Sequence, residues 1–175
     1  MSISFALTEE QEALQELSRQ FADREVDKEY VAMVWGVVNT GRRIDAPLGR
    51  DPVNRQMMST RARRARTATT RITGAERLRG LTLATVAIAT GRTHQIRVHL
   101  SSIGHPVVGD AVYGGVRRHL AADHHILGTL GRPFLHAWRL AFTHPRDGRH
   151  VEFSAPLPED LQSIIDELRE LRDRE

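Results

Sequence analysis

Residues 81–104, LTLATVAIATGRTHQIRVHLSSIG, constrain the fold more than any other stretch. The first nine are mostly apolar, with β-branched Thr82, Thr85, Val86 and Ile88 among them, which predicts a strand. Thr90 and Gly91 then lead directly into a segment of helical period, with Thr93 suited to the N-cap and Gly104 to the stop. Within that helix Ile96, Leu100 and Ile103 share one face with His99 at its edge, while His94, Arg97 and Ser101 share another. A strand that turns at once into a short helix has an apolar side to pack and a polar side left for chemistry. The helix start carries Arg92 and free backbone N–H groups, a combination that suits an anion.

The flanking chain supplies partners for that unit. Thr8 and Gln11 make a capping box, and Leu14, Leu17 and Phe21 recur on one face of a helix ending near Asp23. Residues 29–38 predict a second strand. FLHAWRLAFTH alternates as a third, and Asp147-Gly148 is a hairpin turn ahead of HVEFSAP. A final helix from Glu159 points Leu161, Ile164, Ile165, Leu168 and Leu171 inward. Strands, helices and a hairpin in this order predict an α+β domain over residues 1–175, with a basic arm at 41–80 and a variable loop at 116–132.

Charge is segregated along the chain. Residues 41–150 hold 19 arginines against six acids, a net of +13, although the whole chain carries only +3. A basic middle between acidic ends predicts a polyanionic partner, because each neutralised phosphate releases counterions. No cysteine is present, so disulfides and thiolate metal sites are excluded. His94 and His99 are poorly spaced for two ligands on one helical face, and no H-E-x-x-H pattern occurs; no metal and no cofactor is expected. Ser101 and Ser102 lack the glycine-flanked elbow of a hydrolase nucleophile. No apolar run approaches the ~20 residues that cross a bilayer, and the opening lacks the pattern of a signal peptide. The expectation is a cytoplasmic protein with no membrane partner.

TGRTHQIRVHLSSIGHPVVGDAVYGG resembles the signature of the RluA-type pseudouridine synthases, which isomerise uridine in ribosomal and transfer RNA. FADREVDKEYVAMVWG, IDAPLGRDPVNRQMM, LHAWRLAFTHPRDG and FSAPLPEDL look like the same family, in its order, from about Leu7 to Leu161. FALTEEQEAL is also similar, over a shorter length, to the opening of acyl-CoA dehydrogenases. The resemblance implies a mixed, largely antiparallel sheet flanked by helices, and a cofactor-free reaction on a uridine flipped out of its RNA. It implies that an aspartate attacks the nucleoside, with Arg97 as the basic partner that keeps such a carboxylate ionised. It also makes the 41–80 arm an RNA-contacting one. The candidate RNA contacts are Arg92, Thr93, His94 and Gln95 with Arg50, Arg55, Arg61, Arg63, Arg64 and Arg66.

Two departures accompany the resemblance. The family's nucleophile lies in H-R-L-D followed by T-S-G, shortly ahead of the matched part, and R-L-D occurs nowhere in the 175 residues. Asp110, in VGDAVYG, reads as a turn residue bonding its own backbone rather than a substitute. Asp45 and Asp51 fall in the arm. The family's base-stacking tyrosine, in a pattern like A-x-T-x-Y, aligns without gaps on Ala68–Ile72, which places Ile72 at that position. The expectation is therefore the later part of an incomplete synthase fold, with Arg97→Ala removing turnover but leaving the fold intact. Its exposed sheet edge would favour self-association. The other reading is a non-catalytic RNA-binding module derived from such an enzyme.

Overall fold

The computed structural model describes residues 7–174. Helix α1 (Glu9–Asp23) starts with its capping box complete: Gln11 N–H donates to Thr8 Oγ1 and Thr8 N–H donates to Gln11 Oε1. Its apolar stripe does not turn inward. Leu14 and Phe21 stay 64% and 45% exposed, and the helix residue that is buried is Gln20. Gln20 anchors α1 through its amide, which donates to the Thr143 carbonyl at 2.9 Å and accepts from the Thr143 N–H at 3.1 Å. A side chain thus closes the end of a strand as a neighbouring strand would.

The strands are β1 (Asp27–Trp35), β2 (Arg43–Asp45), β3 (Gly49–Arg50), β4 (Met58–Ser59), β5 (Thr69–Leu78), β6 (Leu81–Ile88), β7 (Leu135–Thr143) and β8 (His150–Ser154). Six of them form one sheet in the order β2-β5-β6-β1-β7-β8, and every neighbouring pair is antiparallel. Helices α2 (Gln95–Ser102) and α3 (Glu159–Asp173) flank it. Alternation along β1 sets Val31 beside Ile165 of α3 and Tyr30 beside the start of α2. The core joins Met33, Ile72, Leu81, Val86, Leu100 and Phe134 to the inner face of α3. This is the α+β, largely antiparallel architecture that the sequence predicts.

The 41–80 stretch, however, is not one arm. Its second half is β5, a core strand with Thr70, Ile72 and Leu78 fully buried, joined to β6 by the tight turn at Arg79-Gly80. The strand is hard to read from sequence because a bulge between Ile72 and Gly74 resets the pairing with β6 and breaks the two-residue alternation. What remains, residues 46–68, is a folded lobe. It contains the β3–β4 ladder and backbone bonds in both directions between Leu48 and Arg66. A small apolar cluster of Leu48, Met57, Met58 and Ala68 closes over Val98 and Tyr113. Gly49 permits this closure: a Cβ there would lie 2.3 Å from the Arg64 carbonyl oxygen. The 116–132 loop is likewise tied down, since its 3-10 segment (Ala122–Thr129) sends Leu127 into the core.

Candidate RNA-binding and active site

The junction between β6 and α2 is organised by one glutamine. Gln95 is only 3% exposed, and its amide is fully engaged. Oε1 accepts from Thr90 Oγ1 at 2.6 Å and from Arg92 N–H at 3.1 Å, while Nε2 donates to the Thr69 carbonyl at 2.9 Å and Thr70 Oγ1 at 3.2 Å. Those four bonds use the amide's whole capacity. Gln95 therefore holds the start of β5 to the loop and has nothing left for RNA, contrary to its expected role. The N-cap also differs. His94, not Thr93, occupies it in a left-handed conformation (φ 56°), without a side-chain cap, and Thr93 is exposed.

The polar face of α2 packs against the 110–115 turn. Arg97 grips Asp110 side-on, Nε to Oδ2 at 2.6 Å and Nη2 to Oδ1 at 2.8 Å. The Asp110 side chain is fully buried and that of Arg97 is 16% exposed. Asp110 Oδ1 also accepts from the N–H groups of Val112 and Tyr113, the turn bonding expected of it. Burial alone pushes the carboxyl up, but the Arg97 guanidinium and these two N–H groups outweigh it and hold Asp110 below the ordinary range. A carboxylate so buried and bonded is a structural anion, which removes it as a nucleophile. The Arg97 guanidinium lies 4.9 Å from the Tyr113 ring centre, and Ser101 Oγ donates to the Tyr113 carbonyl. On the inner face, His99 is fully buried between Thr70 Oγ1 at 2.8 Å and the Ala46 carbonyl at 2.9 Å.

Beside Arg97 opens a cleft of about 290 Å³, lined by Tyr30, Ile88, Arg92, His94, Arg97 and Leu135 among others. That is the lower end of ligand-site volumes, ~300–1,000 Å³, and suits one ring system. Ile72 is not there. It is fully buried in the core, so the aromatic of this cleft is Tyr30. Burial raises the Tyr30 hydroxyl above its usual range, keeping it protonated. His94 is held below its usual range, first by burial and then by the Arg97 charge, and stays neutral. Arg97 is occupied by Asp110 through Nε and Nη2; Nη1 has no hydrogen-bond partner among the described residues. No carboxylate lines the cleft among the described residues.

Next to it stands the 46–68 lobe, where Arg50, Arg55, Arg61, Arg63, Arg64 and Arg66 are all exposed. Arg50 donates to the Arg55 carbonyl, and none of the six has an ion-pair partner among the described residues. Arg92 reaches the lobe at the Thr67 carbonyl, 3.5 Å away. A larger depression of about 850 Å³ lies where β1 begins and β6 ends, but Arg43 and Arg139 on its wall are paired with Asp45, Glu29 and Glu152. Arg24, Lys28 and Arg71 also line it and have no ion-pair partner among the described residues, so unpaired positive charge runs from the lobe and the cleft rim into this depression.

Residues 5–102 match the family model described as RNA pseudouridylate synthase. The chain belongs to that family. It is 39% identical over 160 residues to "Ribosomal large subunit pseudouridine synthase D" of Nitrosomonas europaea, covering 91% of this chain and 46% of the relative. It is 44% identical over 163 residues to "Uncharacterized RNA pseudouridine synthase" of Chloroflexus aurantiacus, covering 93% of this chain and 48% of the relative. The chain thus spans about half the length of the curated relatives it matches. Among solved structures, "Human RNA Pseudouridylate Synthase Domain Containing 1" superposes with a TM-score of 0.63 at 26% identity, covering 89% of this chain and 70% of that one. The pseudouridylate synthase fold accounts for the sheet and its flanking helices. Tyr30 and Tyr113 were not among the residues expected from sequence to form the site, yet both lie in the motif segments that carry the family resemblance.

Proposed function

We propose that this chain is the RNA-holding, cation-bearing part of an RluA-type pseudouridine synthase acting on ribosomal or transfer RNA in the cytoplasm. Ribosomal RNA is favoured because several relatives are named for the large ribosomal subunit. In the reaction the N1–C1′ bond of uridine breaks, a C5–C1′ bond forms, the C5 proton leaves and N1 takes up a proton. The observation that carries this reading is the juxtaposition of a lobe of unpaired arginines with a ring-sized cleft holding Tyr30, His94 and Arg97. The lobe and Arg92 take the backbone phosphates, and the cleft takes the flipped base. Arg97 offers its Nη1 edge to the attacking carboxylate while Asp110 fixes the other edge.

One observation favours the non-catalytic alternative for the chain on its own: the cleft has no carboxylate among its described lining residues. Tritium release from RNA labelled at C5 of uridine separates the two. The chain alone should bind RNA and release no tritium, and release should appear when a segment bearing the aspartate motif is supplied in the same polypeptide. Release by the 175-residue chain alone would refute the division of labour. Undetectable RNA binding at low salt would refute both readings.

A further inference from the structure

The Tyr113 hydroxyl sits at a crossing of two elements. It accepts from the Met58 N–H of β4 at 3.0 Å and lies 2.9 Å from His94 Nδ1. The tyrosine is 8% exposed, and these are its hydroxyl's only partners among the described residues. A phenol oxygen has one proton to give and lone pairs to receive, whereas a backbone N–H only gives. Met58 therefore occupies a lone pair, and among the described residues the one acceptor within reach of the hydroxyl proton is Nδ1 of His94. A histidine that accepts at Nδ1 carries its own proton on Nε2. The two rings meet edge to face, 5.6 Å apart at 74°, and turning the imidazole over would put a carbon in place of Nδ1 against the hydroxyl and lose the hydrogen bond. With Nδ1 taken, Nε2–H is the polar atom the His94 ring offers to the cleft it lines.

We propose that Tyr113 is a positioning residue that locks His94 as the neutral Nε2–H tautomer, and that His94 donates this hydrogen to a carbonyl oxygen of the pyrimidine in the cleft. This rests on the proposed reading of the cleft as a uridine site. A neutral donor suits a neutral acceptor, while the charged Arg92 and the lobe suit phosphates. Because the Met58 N–H belongs to the lobe, the lobe's seating on α2 sets the direction of the hydrogen bond at the base.

Long-range ¹H–¹⁵N correlation of the His94 ring tests the tautomer directly. At neutral pH the wild-type chain should show a protonated Nε2 and a bare Nδ1. Tyr113→Phe, confirmed as folded by its cooperative unfolding transition, should show a mixture of tautomers. A bare Nε2 or an imidazolium in the wild type overturns the proposal without recourse to any variant. The hydrogen bond to the base is tested with two RNA hairpins, one carrying uridine and one carrying an abasic ribose at the same place. Uridine should move the Nε2–H resonance and bind more tightly than the abasic hairpin, and His94→Ala should reduce that advantage by roughly 2- to 10-fold, as the loss of one net hydrogen bond does. His94→Gln, which keeps an N–H donor, should restore part of it. Equal affinity and equal shifts for the two hairpins would overturn this inference while leaving the RNA-binding reading standing. Absence of binding to either would overturn both.

Discussion

The Arg97–Asp110 pair joins the fold to the proposed chemistry, and its energetics can be worked from its geometry. Arg97→Met keeps a stem of similar length over Tyr113 and removes the charge. It leaves Asp110 fully buried with only the Val112 and Tyr113 N–H groups as donors, at 3.0 and 3.1 Å. Removing one partner of a buried pair costs about 3–5 kcal/mol, a large share of the ~5–15 kcal/mol that holds a domain together. With a urea m-value of about 2 kcal/mol/M, the midpoint should fall by ~1.5–2.5 M at constant m. Asp110→Asn should be milder, about 1–3 kcal/mol. The amide oxygen can still accept the two backbone N–H groups, and Arg97, 16% exposed, can turn its unpaired Nε to water. The double variant should lose less than the sum of the two, because neither leaves the other's charge stranded. A midpoint for Arg97→Met within about 0.3 M of wild type, or strict additivity, would refute the pair as a structural element. The pair also corrects one expectation from sequence. Arg97→Ala cannot be a clean catalytic knock-out, since the same side chain holds the 110–115 turn, and any lost turnover has to be read against stability measured on the same variant.

Three further outcomes are expected. Ile72→Ala should cost about 2–5 kcal/mol by opening a cavity in the core, with RNA affinity unchanged under conditions where the variant is folded; loss of affinity with wild-type stability would return Ile72 to the cleft. Replacing Arg61, Arg63, Arg64 and Arg66 by glutamine should weaken RNA binding across sequences and flatten the log–log salt dependence by nearly one unit for each phosphate no longer neutralised, without moving the urea midpoint. The pH dependence follows from His94 and His99, both held below the ordinary value, chiefly by burial. As pH falls below ~6.5 the unfolded chain takes up protons that the folded one refuses, so stability should be level above that value and decline below it. Asp110 adds a second loss once pH falls below ~4 towards its lowered folded value. A urea midpoint that rises between about pH 7 and pH 5 would contradict the buried, neutral state of both histidines.

Local patterns were sufficient wherever one element answers only to its own residues. The capping box of α1, the strand at 81–88, the stop of α2 at Gly104, the 147–148 turn and the inner face of α3 are all set by nearest-neighbour sterics and by periodicities of 2 and 3.6. The family likeness was legible for a related reason: the motif segments are continuous in sequence. What the sequence left open depends on distant pairing. β5 was invisible because its bulge breaks the alternation, and only its partner β6 shows where the register resumes. Gln95 looked available because its four partners lie up to 26 residues away, and Ile72 looked like a site residue because alignment carries no direction for a side chain. Arg97 is the sharpest instance. Its charge and its place on the polar face of α2 were determined by sequence, but its engagement by Asp110 was decided by the turn at 110–115 folding back across that face. A buried charge takes whichever partner the tertiary structure brings within hydrogen-bond distance, and no local pattern records which one that is.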